Sequence, residues 1–122
     1  MVDENTIGIK LIEAAIEVPR GLGLGLLGSV YEAALAYELM QIGLRVERQM
    51  PVSLNYKDIH FDEGFRADLI IEDKVIAELK SVEKVSPANK KQTQTYLRLT
   101  GNKLGYLLHF GGEVMRAGIT RC

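Results

Sequence analysis

The chain has a single cysteine, and it is the last residue, Cys122. That excludes an internal disulfide framework and a cysteine-based metal cluster, and a terminal thiol reads as incidental rather than catalytic. Two histidines are present, His60 and His109. His60 has no histidine or cysteine near it in sequence to complete a ligand set and reads as structural or exposed, and His109 reads as packing or capping rather than binding a metal. No apolar run approaches the ~20 residues that a membrane-spanning helix needs. The start, MVDENTIGIK, lacks the basic region and long apolar core of a secretory signal. The expected location is the cytoplasm, with no membrane partner. No helix-turn-helix or zinc-finger pattern is present.

What is present is one globular chain of 122 residues, long enough for a single core and read as one domain over 1–122. The net charge of −1 conceals an asymmetry. Residues 1–73 carry six basic and thirteen acidic side chains, whereas residues 74–122 carry nine basic and three acidic. Lys80, Lys84, Lys90, Lys91, Arg98 and Lys103 fall in the basic part, where they form either a patch for a polyanion or a solvated helix face. A sequence pI near 6.1 argues against strong non-specific binding of nucleic acid.

From about Thr6 to Val18, Leu11, Ile12, Ala15 and Ile16 recur at helical spacing, which predicts a packing helix ending near Pro19. A glycine-rich stretch then leads into a second helix, from about Ser29 to Ile42, with Gly43 as its stop. Gly23, Gly25 and Gly28 match G-x-G-x-x-G, with Glu47 nineteen residues on. A dinucleotide fingerprint must follow a strand, and this one follows a helix. Nor does a Gly-Lys-Ser/Thr follow, which excludes a P-loop. On the second helix Val30, Ala33, Ala34, Tyr37 and Met40 are expected to form the buried stripe, leaving Glu32 and Glu38 toward a rim or solvent. Glu32 would approach the acids described next if this helix packs beside them. Alternation from Leu44 to Lys57 predicts a long half-buried strand with Pro51 at an edge or bulge, followed by a turn near Asp58 and a polar stretch through Glu63-Gly64.

The chemistry concentrates in FRADLIIEDKVIAELK, residues 65–80. It reads as two strands joined at Glu72, Asp73 and Lys74. With a three-residue loop, 71 pairs with 75 and counting outward sets 68 opposite 78 and 66 opposite 80. Asp68 and Glu78 then share a face, because side chains alternate along a strand. A two-residue turn at Asp73-Lys74 would send them to opposite faces. Two adjacent carboxylates are destabilising unless a cation sits between them. Mg²⁺ suits such a pair, since it is held by one or two carboxylates and keeps water or phosphate oxygens as its other ligands. Lys80, on the same face, would point at ion-bound water or a phosphate. The competing account is a solvated face on which Asp68, Glu78, Lys80 and Arg66 form surface ion pairs worth little.

After the hairpin, Ser86-Pro87 predicts a capped helix start and Gly101 its stop. Gln92 and Tyr96 lie one turn apart on this helix. Residues 103–110, KLGYLLHF, suit a strand covered on both faces. A last short strand is expected through Val114 to Thr120. The order of elements predicts an α/β or α+β fold around a mixed sheet.

Asp68, then Glu78-Leu79-Lys80, followed by a helix bearing Gln92-x-x-x-Tyr96, resembles the PD-(D/E)XK nuclease superfamily. Its Q-x-x-x-Y variant is similar to RecB-type and phage exonucleases. The runs VYEAALAYELMQIGLRVERQMPV, DEGFRADLIIEDKVIAELKSVEK and QTYLRLTGNKLGYLLHF resemble the small bacterial proteins of the GxxExxY family. The resemblance implies a restriction-endonuclease-like core, a mixed sheet flanked by helices, and Mg²⁺- or Mn²⁺-dependent hydrolysis of phosphodiesters in DNA or RNA. It makes Asp68, Glu78 and the Leu79 carbonyl the metal ligands. Lys80 would orient or activate the attacking water, and Gln92 would position substrate or water. Lys84, Lys90, Lys91, Tyr96 and Arg98 would contact nucleic acid.

The chain departs from the family pattern in the name motif itself. Aligning Gly25 and Tyr31 with the motif's ends puts Gly28 where the glutamate belongs, and Glu32, one turn on, is the candidate to replace it. A lost acid would weaken metal binding, so the alternative is a nuclease scaffold that binds nucleic acid or a protein partner without cutting. Small nucleases gain substrate choice by dimerising, which by analogy makes a homo-oligomer the expected state.

Overall fold

The structure, a computed structural model, describes residues 2–23, 25–80, 86–102, 104–110 and 119–122. The expected last strand falls largely on residues outside these, as do Lys84 and Lys103.

Helix α1 spans Glu4–Leu22, opened by Asp3, whose side chain accepts the Thr6 N–H at 2.8 Å. It runs through Pro19 instead of ending there. Proline removes one backbone donor, and so close to the last turn that loss removes a hydrogen bond without breaking the helix. The stop is Gly23, at φ 84°, whose N–H donates to the Pro19 carbonyl at 2.7 Å. Ile7, Leu11, Ala15 and Val18 form the buried stripe, as helical spacing requires.

Helix α2 spans Gly28–Gln41. It is apolar around most of its circumference, and the face that packs is not the expected one. Tyr31, Leu35, Ala36 and Leu39 are buried, together with Glu32, whereas Val30, Ala33, Tyr37 and Met40 are exposed and Ala34 is half-buried. Tyr31 stacks on Phe110 with ring centroids 4.5 Å apart, and this contact helps select the packed face.

The sheet runs in the order β1-β2-β3-β4-β5. Strands β1 (Val46–Tyr56), β2 (Ile59–Ile71) and β3 (Val75–Lys80) form an antiparallel meander. Helix α3 (Pro87–Thr100) then crosses over to β4 (Leu104–His109), parallel to β3, and β5 (Ile119–Arg121) returns antiparallel at the far edge. Pro51 lies on the edge strand β1, where a missing donor does least harm. The polar stretch through Glu63-Gly64 belongs to strand β2. Residues 59–64 lie in a hairpin that reaches past the core, where all six are exposed, the apolar Ile59 and Phe61 among them. Its ladder shifts between Val52/Phe65 and Leu54/Phe61, where one residue of β1 faces three of β2. Gly64 fits there because a Cβ would collide with the Leu54 side chain.

The α3 ends are those the sequence predicts. Ser86 and Asn89 form a reciprocal capping box, Pro87 is in the first turn, and Gly101 at φ 77° closes the helix. Every residue of β4 is buried, as a strand covered on both faces should be. The main core packs α1 and α2 against Leu69, Ile71, Val75, Ala77, Tyr106 and Leu108. A smaller cluster, Ala67, Ile70 and Ile76 with Phe65, Tyr96 and Leu97, joins the sheet to α3. Among the described residues the result is an α+β fold, a mixed five-stranded sheet flanked by helices.

Candidate active site

The β2–β3 turn sets the site's register. Glu72 and Asp73 are left-handed, at φ 53° and 58°, and the Lys74 N–H closes the turn on the Ile71 carbonyl at 3.0 Å. Glu72 is fastened to the chain before β1: its carboxylate accepts the Arg45 N–H at 2.6 Å, and its own N–H donates to the Arg45 carbonyl at 2.8 Å. Ile71 pairs with Val75, Ile70 with Ile76 and Leu69 with Ala77, the register of a three-residue connection. Beyond Leu69/Ala77 the paired ladder stops. There Asp68 Oδ2 accepts the Leu79 N–H at 2.8 Å, so a side chain takes the place of a backbone partner. Along a strand, one residue's N–H and C=O point to the same side. The Leu79 carbonyl therefore also faces the side on which Asp68 lies.

Glu78 is 4% exposed, and its Oε1 is buried without a hydrogen-bond partner. Burial, and then the neighbouring Asp68 carboxyl, push Glu78 up to about 9, with the Asp68 backbone and then Lys80 pulling the other way. At neutral pH the pair therefore carries a proton. Lys80 donates from Nζ to Gln92 Oε1 at 3.0 Å, which links β3 to α3 beside the acids. Tyr96, one turn after Gln92, stacks on Phe65 with centroids 3.9 Å apart and planes 3° from parallel. Burial and the charges of Glu78 and Asp68 raise its hydroxyl pKa.

Glu32 enters from α2, 5% exposed, and is neither at a rim nor in solvent. Arg48 Nη2 donates to its Oε2 at 3.1 Å, and Gln49 Nε2 donates to its Oε1 at 2.7 Å. The same Gln49 nitrogen donates to Asp68 Oδ1 at 3.1 Å. Glu32 is thus one amide away from the acid pair. Sequence reasoning missed Arg48 and Gln49, which sit in an alternating strand with no motif to mark them. It also missed Phe65 as the partner of Tyr96. Arg66, expected opposite Lys80, is gripped instead by Glu63 through two contacts of 2.7 and 3.1 Å.

The model of the PD-(D/E)XK nuclease superfamily matches residues 5–122. The chain belongs to this superfamily. A solved structure described as "Crystal structure of SSO0001" shares the fold, with a TM-score of 0.52 and 20% identity over 97% of this chain. The chain spans 57% of that structure's length. No curated protein sequence matches it.

PD-(D/E)XK nucleases generally use divalent metal ions, and the donors here fit one. Asp68 offers hard carboxylate oxygens, Glu78 would offer its orphaned oxygen once its proton leaves, and the Leu79 carbonyl faces the same side. Among the described residues no group of three or more His, Cys, Asp or Glu is arranged to hold a metal. The site is therefore a carboxylate pair, the pattern of an ion that leaves its remaining positions to water and phosphate oxygens. Of the expected nucleic-acid contacts, Lys90, Lys91 and Arg98 are exposed on α3, a helix with no acidic residue, while Tyr96 is half-buried against Phe65.

Proposed function

We propose that this chain is a Mg²⁺- or Mn²⁺-dependent nuclease of the GxxExxY type, hydrolysing phosphodiester bonds in DNA or RNA. The observation that carries the reading is a buried carboxyl oxygen with no partner, on Glu78, beside a second acid and two residues before a lysine. A buried polar atom left unsatisfied costs free energy, and a cation removes that cost. Asp68, Glu78 and the Leu79 carbonyl would hold the ion. When bound, it supplies Lewis acidity and a water made more acidic by coordination.

The rest is the work of this chain's residues. Lys80 places a positive charge where a phosphate or an attacking water would stand, and it favours the charge that develops on the phosphate oxygens. Gln92 fixes the Lys80 ammonium and offers its amide nitrogen to a phosphate. Glu78 would hold the pair's proton in the metal-free chain and would have to release it to serve as a ligand. Lys90, Lys91 and Arg98 attract the polyanion, and Lys84, outside the described residues, is placed by sequence to join them.

Glu32 supports the pair from α2. Position 28, where the family motif has glutamate, is one helical turn before it and is glycine. That glycine favours a second reading, a nuclease scaffold that binds nucleic acid or a protein but cuts poorly. In either case we read residues 1–122 as one cytoplasmic domain that acts as a homo-oligomer. The test is cleavage of labelled single- and double-stranded DNA and RNA in Mg²⁺ or Mn²⁺ by the natural protein, Glu78→Ala and Gly28→Glu. Cutting that disappears in Glu78→Ala supports the nuclease. Cutting gained only in Gly28→Glu supports the weakened scaffold.

A further inference from the structure

Gln49 takes a backbone conformation that glutamine seldom adopts, φ 50° in the interior of β1. Holding a non-glycine residue there costs about 1–3 kcal/mol, and such residues persist where the surroundings demand them. Successive side chains of a strand point to opposite faces. The left-handed twist at 49 breaks that alternation, and Arg48 and Gln49 both arrive at Glu32. In the ladder Arg48 pairs with Leu69 and Met50 with Ala67. Between them Gln49 and Asp68 are joined through their side chains. Arg66, held by Glu63, reaches the Gln49 carbonyl at 3.4 Å and steadies the turned backbone.

We propose that Gln49 is a positioning residue, whose amide ties Glu32 to Asp68 and holds the Asp68 carboxylate in the orientation that receives a divalent cation. A carboxamide NH₂ has two hydrogens and no charge. It can give one hydrogen to each carboxylate without neutralising either, whereas a lysine or arginine at this place would compete with the cation. With Oδ1 on Gln49 and Oδ2 on the Leu79 N–H, the Asp68 carboxylate is fixed at both oxygens. Each oxygen keeps a further lone pair for the ion. Glu32 is the anchor of this arrangement, itself anchored by Arg48.

The inference rests on the metal-site reading above, and the experiment separates the two. Mn²⁺ affinity of the full chain is measured by calorimetry and by electron paramagnetic resonance for the natural protein, Asp68→Asn, Gln49→Gly, Glu32→Gln and the Gln49→Gly/Glu32→Gln double variant. Metal-free melting temperatures are recorded beside them. Outer partners of a metal-binding carboxylate are worth about 10–100-fold in affinity. Gln49→Gly is expected to weaken Mn²⁺ binding by that factor while changing the melting temperature little, since glycine's free acceptance of positive φ offsets the hydrogen bond lost at Glu32. Glu32→Gln is expected to weaken binding comparably, and the double variant no further, because both act through one amide. Gln49→Asn, which tolerates the same backbone but is too short to span both acids, should reproduce the loss and serves if the glycine variant does not fold.

Unchanged affinity in Gln49→Gly, or multiplied losses in the double variant, would overturn this inference alone. No Mn²⁺ binding by the natural protein, or binding indifferent to Asp68→Asn, would overturn the metal-site reading with it.

Discussion

Lys80 on β3 donates to Gln92 on α3 across 3.0 Å, so one hydrogen bond couples the lysine beside the acid pair to the crossover helix. The bond is exposed and contributes little to folding, about 0–1 kcal/mol. Its weight should fall on chemistry. Lys80→Ala is expected to slow single-turnover cleavage by at least about 100-fold. Mn²⁺ affinity should change only a few-fold and the melting temperature hardly at all. Gln92→Ala should give a smaller loss, of about 10-fold, since the lysine remains but loses its anchor.

Glu78 makes stability depend on pH in an unusual direction. Its carboxyl stands at about 9 in the folded chain, against a usual 4.5. The unfolded chain therefore releases this proton first. The contribution is fully present below pH 4.5 and is lost as pH rises toward 9, by at most about 1.4 kcal/mol per unit. Metal-free protein should melt progressively lower from pH 5 to pH 9. Glu78→Gln should flatten that slope and raise stability at pH 8 by about 2–3 kcal/mol, read by denaturant titration.

The same proton opposes the cation. Below pH 9 an ion must displace it, so Mn²⁺ affinity should rise with pH by up to about tenfold per unit, with proton release visible in calorimetry in different buffers. Glu78→Gln should abolish the dependence together with most of the affinity.

Tyr31 holds the entry to α2. Its hydroxyl accepts the Leu26 N–H at 3.1 Å and donates to the Gly23 carbonyl at 2.8 Å, while its ring is buried against Phe110. Tyr31→Phe keeps the stack and removes both bonds. The expected cost is about 1–3 kcal/mol, with faster amide hydrogen exchange at Leu26.

The Phe65–Tyr96 stack fastens α3 to the sheet beside the site. Phe65→Ala and Tyr96→Ala should each destabilise the chain by about 2–4 kcal/mol in denaturant unfolding. Their double-mutant cycle should return a coupling of about 0.5–1.5 kcal/mol. Tyr96→Phe should retain most of the stability.

The hairpin was legible in the sequence because it reduces to counting: three residues between 71 and 75 fix which side chains face each other, and the structure has that pairing. The α3 ends were legible for a similar reason, since Ser86, Pro87 and Gly101 each have a local preference that nothing distant overrides. Helix α2 was not. Two of its faces are apolar, and periodicity cannot choose between Val30-Tyr37-Met40 and Tyr31-Leu35-Leu39; the sheet and α1 make that choice. Residues 59–64 read only as part of a turn and a polar stretch, because the alternation of Ile59 and Phe61 with His60 is cut short by Asp62-Glu63-Gly64. Gln49 was invisible, since a left-handed glutamine follows from tertiary contacts and leaves no local pattern.

The unsatisfied oxygen of Glu78 also bears on how this chain would respond to laboratory evolution. A population selected only for heat resistance, with no cation supplied, gains most from replacing Glu78, the acid that among the described residues the fold buries at a loss. Such a selection should erase Glu78 early and leave Asp68, whose oxygens are both engaged, in place longer. Stabilised descendants would keep the architecture and lose half of the carboxylate pair.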